Sequence, residues 1–538
     1  MKNSIIYSLL AIMLCSCGVK TTEVLLTAES GEKCAAQPAE RFAKTTLENA
    51  VVVDLDDERQ TLDGYGVSLT ESSAFILACL TDEEREAVLK EFFSEEGANF
   101  PIVRTHIGAC DFSVEGKYSL CEKDGDTAME TFSLDRDKEG FSRAQYPQIK
   151  NEQYDLYHLM KDVAAIKAAQ EDKEYRIVAN TWTAPAWMKD NKAYYERDWS
   201  RDLHRGGHLL PEYRQAYADY LLKFAEAWRA EGVEIWAMTP VNEPQGNDGG
   251  WESMDFGPEV EADFIANYMA PTFAKNGFEH IKILGFDQNI FEMSPYTKAI
   301  YDDNAAAAAA TDGMALHWYG STFSCFPEVL DSIHALYPGK RLIHTEGCID
   351  NLGCPAWEAV TDPAGFTESG WFNNDSFWWN NCATDWAYST PYWPELHPAY
   401  SACQRYAQYI IEGMNHWMTG FIDWKCVLDS IGGPNHVQNY CGASVMVDYA
   451  NDIVYYTPYY YVLKQFSRMM RPGAKALGVS ETGLEDVFVS AVRSEDGSVV
   501  VNVLNKRKEA VCLPLQVGEY SAKLSVPANC VESLRLSL

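Results

Sequence analysis

From residue 60 onward, short apolar runs alternate with longer stretches in which apolar positions recur every three or four residues. A short apolar run bounded by turn residues suits a strand buried on both faces, whereas the three-to-four spacing suits a helix that lays one stripe on a sheet. Eight strands are predicted this way: Leu62 to Leu69, Pro101 to Gly108, Arg176 to Thr183, Glu234 to Val241, Ile281 to Asp287, Gly313 to Tyr319, Arg341 to Glu346 and Gly420 to Lys425. Helices are predicted between them. Thr81-Asp-Glu-Glu84 reads as a capping box that starts one. Tyr213, Tyr217, Leu221, Phe224 and Trp228 form the stripe of another. Tyr154 to Gln170, Val260 to Lys275, Glu328 to Leu336 and His397 to Met414 carry similar patterns, and Ala305 to Ala310 reads as a helix or a helix end. Eight strand–helix repeats imply an α/β fold of the (β/α)8 barrel type, whose functional rim lies at the C-terminal ends of its strands.

The period changes after about Ile453. Val487-Phe-Val-Ser-Ala-Val492 and Ser498 to Leu504 alternate with period two around the turn Asp496-Gly497, the signature of an antiparallel sheet. Glu23 to Leu26 and Ala50 to Leu55 are also strand-like and precede the barrel. The economical arrangement is a β-sandwich built from both chain termini. The predicted domains are therefore a leader at 1–17, sandwich strands at 22–58, the barrel at 59–452 and the sandwich at 453–538.

The formal net charge of −34 disfavours nucleic acid and anionic headgroups and points to a neutral substrate. Lys2, the apolar stretch Ile5 to Leu14 and Leu14-Cys-Ser-Cys-Gly18 read as an export signal too short to span a bilayer. Leu14 and Ser16 stand three and one residues before Cys17, which resembles a bacterial lipoprotein cleavage box. An exported protein anchored to the cell envelope through a lipidated Cys17 is expected. The 15 cysteines form no CxxC pair and no metal-type cluster with histidine, so most are read as buried apolar fillers and no metal or organic cofactor is implied.

Two glutamates stand where predicted strands break into loops: Glu243 in Thr-Pro-Val-Asn-Glu-Pro and Glu346 in Ile-His-Thr-Glu-Gly-Cys. They follow the fourth and seventh predicted strands, so both fall on the same rim. Cleavage of a glycosidic bond needs one carboxylic acid to protonate the leaving oxygen and a second carboxylate across the anomeric carbon. With 15 Trp and 30 Tyr, the chain also has flat amphipathic faces suited to sugar rings as well as to core packing.

The ordered set of segments resembles glycoside hydrolase family 30, the family of glucosylceramidases and β-1,6-glucanases. The segments are Gln60-Thr-Leu-Asp-Gly-Tyr-Gly-Val-Ser-Leu-Thr-Glu-Ser-Ser-Ala74, Gly108-Ala-Cys-Asp-Phe-Ser113, Thr181-Trp-Thr-Ala-Pro-Ala-Trp-Met-Lys189, Asn242-Glu-Pro244, His317-Trp-Tyr319, Thr345-Glu-Gly-Cys348 and Gly432-Gly-Pro-Asn435. The resemblance implies a retaining β-glycosidase with Glu243 as acid/base, Glu346 as nucleophile and Asn242 on the sugar 2-hydroxyl. It also implies sugar contacts from Trp182, Trp424, Asn435 and Tyr319, with His317 near the nucleophile. Where the family carries a sugar-gripping Asp after a Tyr-rich segment, this chain has Tyr118-Ser-Leu-Cys-Glu122, so Glu122 is the expected stand-in, with Asp111 and Arg104 sharing that role or pairing with each other. Trp357, Trp371, Trp378, Trp379, Trp386 and Trp393 are read as an aromatic wall over the cleft or a self-packed cap. The implied substrates are β-1,6-glucan or a glucosylceramide-like glycoside. Xylosidase or xylanase activity, and a surface lipoprotein that binds glycan without turnover, are the alternatives.

Overall fold

The computed structural model describes residues 18–196, 206–246, 249–321, 324–348, 402–437, 439 and 441–538. Cys17 and the six tryptophans between 357 and 393 lie outside the described residues. Eight parallel strands close into a barrel in chain order: Gly64–Leu69, Ile102–His106, Arg176–Asn180, Ala237–Met238, Lys282–Asn289, Thr311–His317, Arg341–Glu346 and Met418–Asp423. Each falls within or against a predicted strand segment.

Because side chains alternate between the two faces of a strand, inward positions recur every second residue and stack in layers. Ile102, Val178, Ala237, Leu284, Ala315, Ile343 and Ile422 form one such layer, fully buried and apolar. Two residues further along five of these strands stand Arg104, Asn180, Thr239, His317 and Thr345, all completely buried. The barrel therefore carries a polar layer directly above an apolar plug. In the fifth strand the alternation is broken by a β-bulge, where Ala315 pairs with Phe286 but Leu316 pairs with Gln288. The extra residue carries Asp287 into the polar layer while Phe286 packs outward on Tyr296, with ring centroids 5.0 Å apart. Closure between the first two strands depends on Gly66, where a Cβ would lie 1.7 Å from the Ile102 carbonyl oxygen.

The predicted helices form within the described residues; of the His397 to Met414 segment, residues 397–401 lie outside them and the rest is the helix Ala402–Asn415. Thr81 accepts from the Glu84 amide and Glu84 reaches back to the Thr81 amide, capping Asp82–Phe93 from both sides. Arg214–Ala230 buries Tyr217, Leu221, Phe224 and Trp228 against the barrel. Ala305–Ala310 is a short helix capped by Asn304.

A ten-stranded sheet stands beside the barrel, and the two chain ends interleave in it. Gly18–Ala28 pairs antiparallel with Cys530–Leu536, and Val51–Thr61 lies between Lys475–Val479 and Val511–Val517. Gly18–Ala28 also pairs with Arg41–Ala43 at the far end of the strand order, so the sheet wraps onto itself. Its core comes from alternate residues, among them Val24 and Leu26, Val499, Val501 and Val503, and Leu513 and Leu515. The predicted sandwich boundary at 453 is displaced. Ile453–Tyr456 pairs with Val445–Asp448 in a separate three-stranded sheet, and the helix Pro458–Met469 intervenes before the first following strand of the large sheet, Lys475–Val479. The period-two segments read from the sequence, Val487 to Val492 and Ser498 to Leu504, do pair with each other in the large sheet.

Most of the eleven described cysteines are buried, in keeping with their reading as apolar fillers. Among the described residues, no helix is long and apolar enough to cross a membrane.

Candidate active site

The C-terminal rim of the barrel opens into a cavity of about 330 Å³ whose lining includes Asp111, Trp182, Glu243, Trp251, Gln288, Asn289, Tyr319, Glu346, Trp424 and Asn439. Glu346 is the last residue of the seventh strand, and Glu243 follows the fourth in a left-handed backbone conformation with φ of 46°. A non-glycine residue held there is strained, and such strain concentrates where a side chain must be aimed. The Glu243 amide donates to the Asp287 carbonyl at 3.0 Å and thereby ties the turn to the neighbouring strand.

Asp287, absent from the sequence-based candidates, is the hub beneath both glutamates. It accepts from Arg104 at 3.1 Å, Thr239 Oγ1 at 2.9 Å, Thr345 Oγ1 at 2.7 Å and the Asn180 side-chain amide. Burial works against its charge, but Arg104, His317 and these donors hold its carboxyl well below the usual range. Arg104 also donates to Glu346 and, at 2.6 Å, to Asn242 Oδ1. Burial opposes the guanidinium charge, yet Asp287 and Glu346 outweigh it. The expectation that Arg104 pairs with Asp111 is thus corrected: its carboxylate partners are Asp287 and Glu346. No sequence signal marks Asp287, because simple alternation after Leu284 points Phe286 inward.

His317 lies between the two glutamates. Its Nδ1 is 3.2 Å from Glu243 Oε1, and its Nε2 is 3.0 Å from Asp287 Oδ1 and 4.0 Å from Glu346 Oε2. Burial disfavours the imidazolium, but Glu346, Asp287 and Glu243 together raise it to about 9. Burial pushes Glu243 up to about 7; the His317 hydrogen bond acts the other way, and the Glu346 charge adds to the rise. Glu346 Oε1 accepts from the Tyr319 hydroxyl at 2.9 Å. Glu243, His317 and Glu346 each present one ligand-type atom within 4.8 Å of the other two, the only such triplet among the described residues. The Arg104 guanidinium and the His317 imidazolium already supply two positive charges there, so the arrangement suits proton transfer better than a bound cation.

Trp182 and Trp424 stack in the cavity wall, with centroids 5.0 Å apart and planes at 22°. The Arg104 guanidinium carbon sits 4.9 Å from the first ring and 5.0 Å from the second, a cation–π contact that fixes the wall to the charged layer below. Two other sequence candidates lie elsewhere. Glu122 is not among the described lining residues; it accepts from the Ser119 amide and from Tyr194 Oη at 2.6 and 2.7 Å. Asp111, eleven residues earlier, holds the cavity position instead. Asn435 organises its own loop, accepting from the Val437 and Asn439 amides at 3.1 and 2.9 Å, and it is Asn439 that reaches the cavity. Short polar residues on a loop give no sequence cue as to which one faces inward.

Residues 62–369 and 395–470 match the glycosyl hydrolase family 30 TIM-barrel domain, and residues 473–534 match the beta sandwich domain of the same family. The chain belongs to glycoside hydrolase family 30. It is therefore a glycoside hydrolase, and its substrate is a glycan or a glycolipid. Mouse lysosomal acid glucosylceramidase is 26% identical over 463 residues, covering 86% of this chain and 77% of the mouse protein. The Neurospora crassa endo-1,6-beta-D-glucanase is 24% identical over 459 residues, 83% of this chain and 79% of the fungal one. Among solved structures, SrfJ from Salmonella typhimurium superposes with a TM-score of 0.76 at 21% identity, covering 96% of this chain and 99% of that one. The endo-beta1,6-glucanase BT3312 superposes with a TM-score of 0.73 at 24% identity, covering 96% and 98%.

Proposed function

We propose that this family 30 hydrolase is a retaining β-glucosidase-type enzyme, with Glu346 as nucleophile and Glu243 as acid/base. One observation carries the reading: carboxyl oxygens of Glu243 and Glu346 lie within 4.8 Å of each other. Retaining pairs stand about 5 to 5.5 Å apart, whereas inverting pairs need roughly 6.5 to 9.5 Å to admit a water between carboxylate and sugar.

In the first step Glu346 attacks the anomeric carbon, the glycosidic bond breaks, and the proton on Glu243 passes to the leaving oxygen. Glu243 holds that proton near neutrality because it is buried and faces the Glu346 charge. Forming the glycosyl ester removes that charge, which lowers the proton affinity of Glu243 and readies it as the base. A water then gives its proton to Glu243 while its oxygen attacks the anomeric carbon and releases Glu346. Arg104 and Tyr319 hold the nucleophile's two oxygens throughout. Asn242, its Oδ1 taken by Arg104, offers its amide nitrogen to the sugar 2-hydroxyl. Asp111 accepts from the sugar's remote hydroxyls, and Trp182 and Trp424 flank the ring.

The natural substrate is read as β-1,6-linked glucan or a glucosylceramide-like glycoside, the substrates in the names of the two curated relatives. Export with a lipid on Cys17 places the enzyme on the bacterial envelope; the support is the leader pattern alone. Hydrolysis of an aryl β-glucoside tests the core of the reading. The first-formed sugar is the β-anomer by NMR, and Glu346→Gln lowers kcat by about 10⁴-fold or more. An α-anomer as first product, or binding without turnover in the unmutated enzyme, overturns it. A panel of β-1,6-glucan, glucosylceramide and xylan assigns the substrate.

A further inference from the structure

Directly after Trp424, Lys425 is completely buried, and its ammonium has no hydrogen-bond partner among the described residues. Its Nζ sits 2.9 Å from the centroid of the Trp424 ring and 3.6 Å from that of Phe112. A lysine kept dry without an acceptor for its ammonium is costly unless a nearby negative charge compensates it. Burial lowers its pKa, and the neighbouring groups that work against that fall are Asp111 first, then Cys110, Cys441 and Glu346. Asp111 in turn faces Lys425, Glu346 and His436 and accepts from Asn439 Nδ2 at 3.0 Å, while its other oxygen is buried and unpartnered. Lys425 acts on His106 and Asp423 as well. Trp424 and Asp111 both line the cavity, and the ammonium lies against the Trp424 ring and against Phe112, the chain neighbour of Asp111.

We propose that Lys425 is a positioning residue of the sugar site: clamped between the Trp424 and Phe112 rings, it supplies the counter-charge that keeps Asp111 an acceptor for sugar hydroxyls. The inference rests on the reading of Asp111 as a sugar contact. A carboxylate accepts through both oxygens, whereas a protonated carboxyl presents one of them as a donor and accepts less strongly through the other. Burial pushes Asp111 up to about 6, and the Lys425 charge limits that rise. Without the ammonium, Asp111 takes up its proton at higher pH and the site loses its grip on sugar while still above mild acidity.

The test is the pH profile of KM and kcat for an aryl β-glucoside in the full-length enzyme, comparing Lys425→Met, Asp111→Asn and the double variant. For Lys425→Met the acidic limb of kcat/KM moves to higher pH by about one unit, so that KM on that limb rises about tenfold while kcat changes little. In the Asp111→Asn background, Lys425→Met produces no further shift of the limb. Should Lys425→Met fail to fold, Lys425→Gln carries the same expectation. An unshifted limb in a folded Lys425 variant, or the same shift persisting without Asp111, overturns the role of Lys425. Asp111→Asn with unaltered KM at every pH overturns the Asp111 reading instead.

Discussion

His317 meets a carboxylate at each ring nitrogen, so its charge does two separable jobs. Toward Glu243 it favours the ionised form and limits how far burial raises that carboxyl. In His317→Gln the basic limb of kcat/KM therefore moves to higher pH, by about one unit, measured on an aryl β-glucoside. Toward the fold, an imidazole raised to about 9 contributes stability that is complete below its ordinary value of 6.5 and is lost as pH rises through 9. The difference in melting temperature between wild type and His317→Gln accordingly narrows between pH 6.5 and 9. Asp287 has the opposite sign. Its carboxyl is depressed, so its contribution is present above the ordinary carboxylate range and disappears as pH falls below it. At pH 7, Asp287→Asn leaves the buried Arg104 undercompensated and costs about 3 to 5 kcal/mol by chemical denaturation. Glu243→Ala loses about 10² to 10⁴-fold on substrates with poor leaving groups, and azide restores turnover of activated ones. The two glutamates were legible because each sits in a distinctive local motif at a strand end. Asp287 was not, since its inward aim depends on the bulge.

That bulge belongs to the scale of the element. The barrel strands could be read directly from their apolar runs, and once the inward positions are known the polar layer two residues above the apolar plug follows from period two. Pairing register, by contrast, is a property of two strands at once. The shift between Ala315 and Leu316 is one residue more on the fifth strand than on the sixth, and the opposite shift between Thr311 and Gly313 offsets it. Gly66 shows the same dependence. A Cβ there would lie 1.7 Å from a backbone oxygen of the adjacent strand. That neighbour cannot move away without breaking the ladder, so Gly66→Ala costs more than about 4 kcal/mol and abolishes soluble expression. Ile453–Tyr456 makes the same point from the other side: it follows the boundary expected for the sandwich, and only its pairing with Val445–Asp448 assigns it to a small separate sheet.

At the scale of the molecule, one buried glutamine joins the barrel's last helix to both chain ends. Gln465 Oε1 accepts from Thr27 Oγ1 at 2.8 Å, and its Nε2 donates to the carbonyls of Leu25 and Val531 at 3.3 and 3.1 Å and to Ser533 Oγ at 2.9 Å. Gln465→Leu strands these groups in a dry interface and lowers unfolding free energy by about 1 to 3 kcal/mol, with little change in kcat. Sequence by itself determined the element types, the barrel with its attached sandwich, and the rim positions of Glu243 and Glu346. These follow from periodicity and short motifs, which are local properties of the chain. Tertiary structure alone decided that Asp111 and not Glu122 faces the cavity, that Arg104 bonds both Glu346 and Asp287, and that Lys425 lies behind Trp424. Each is a matter of which side chains meet after strands far apart in sequence have closed into one ring, and there a one-residue shift turns the Asp287 charge into the interior.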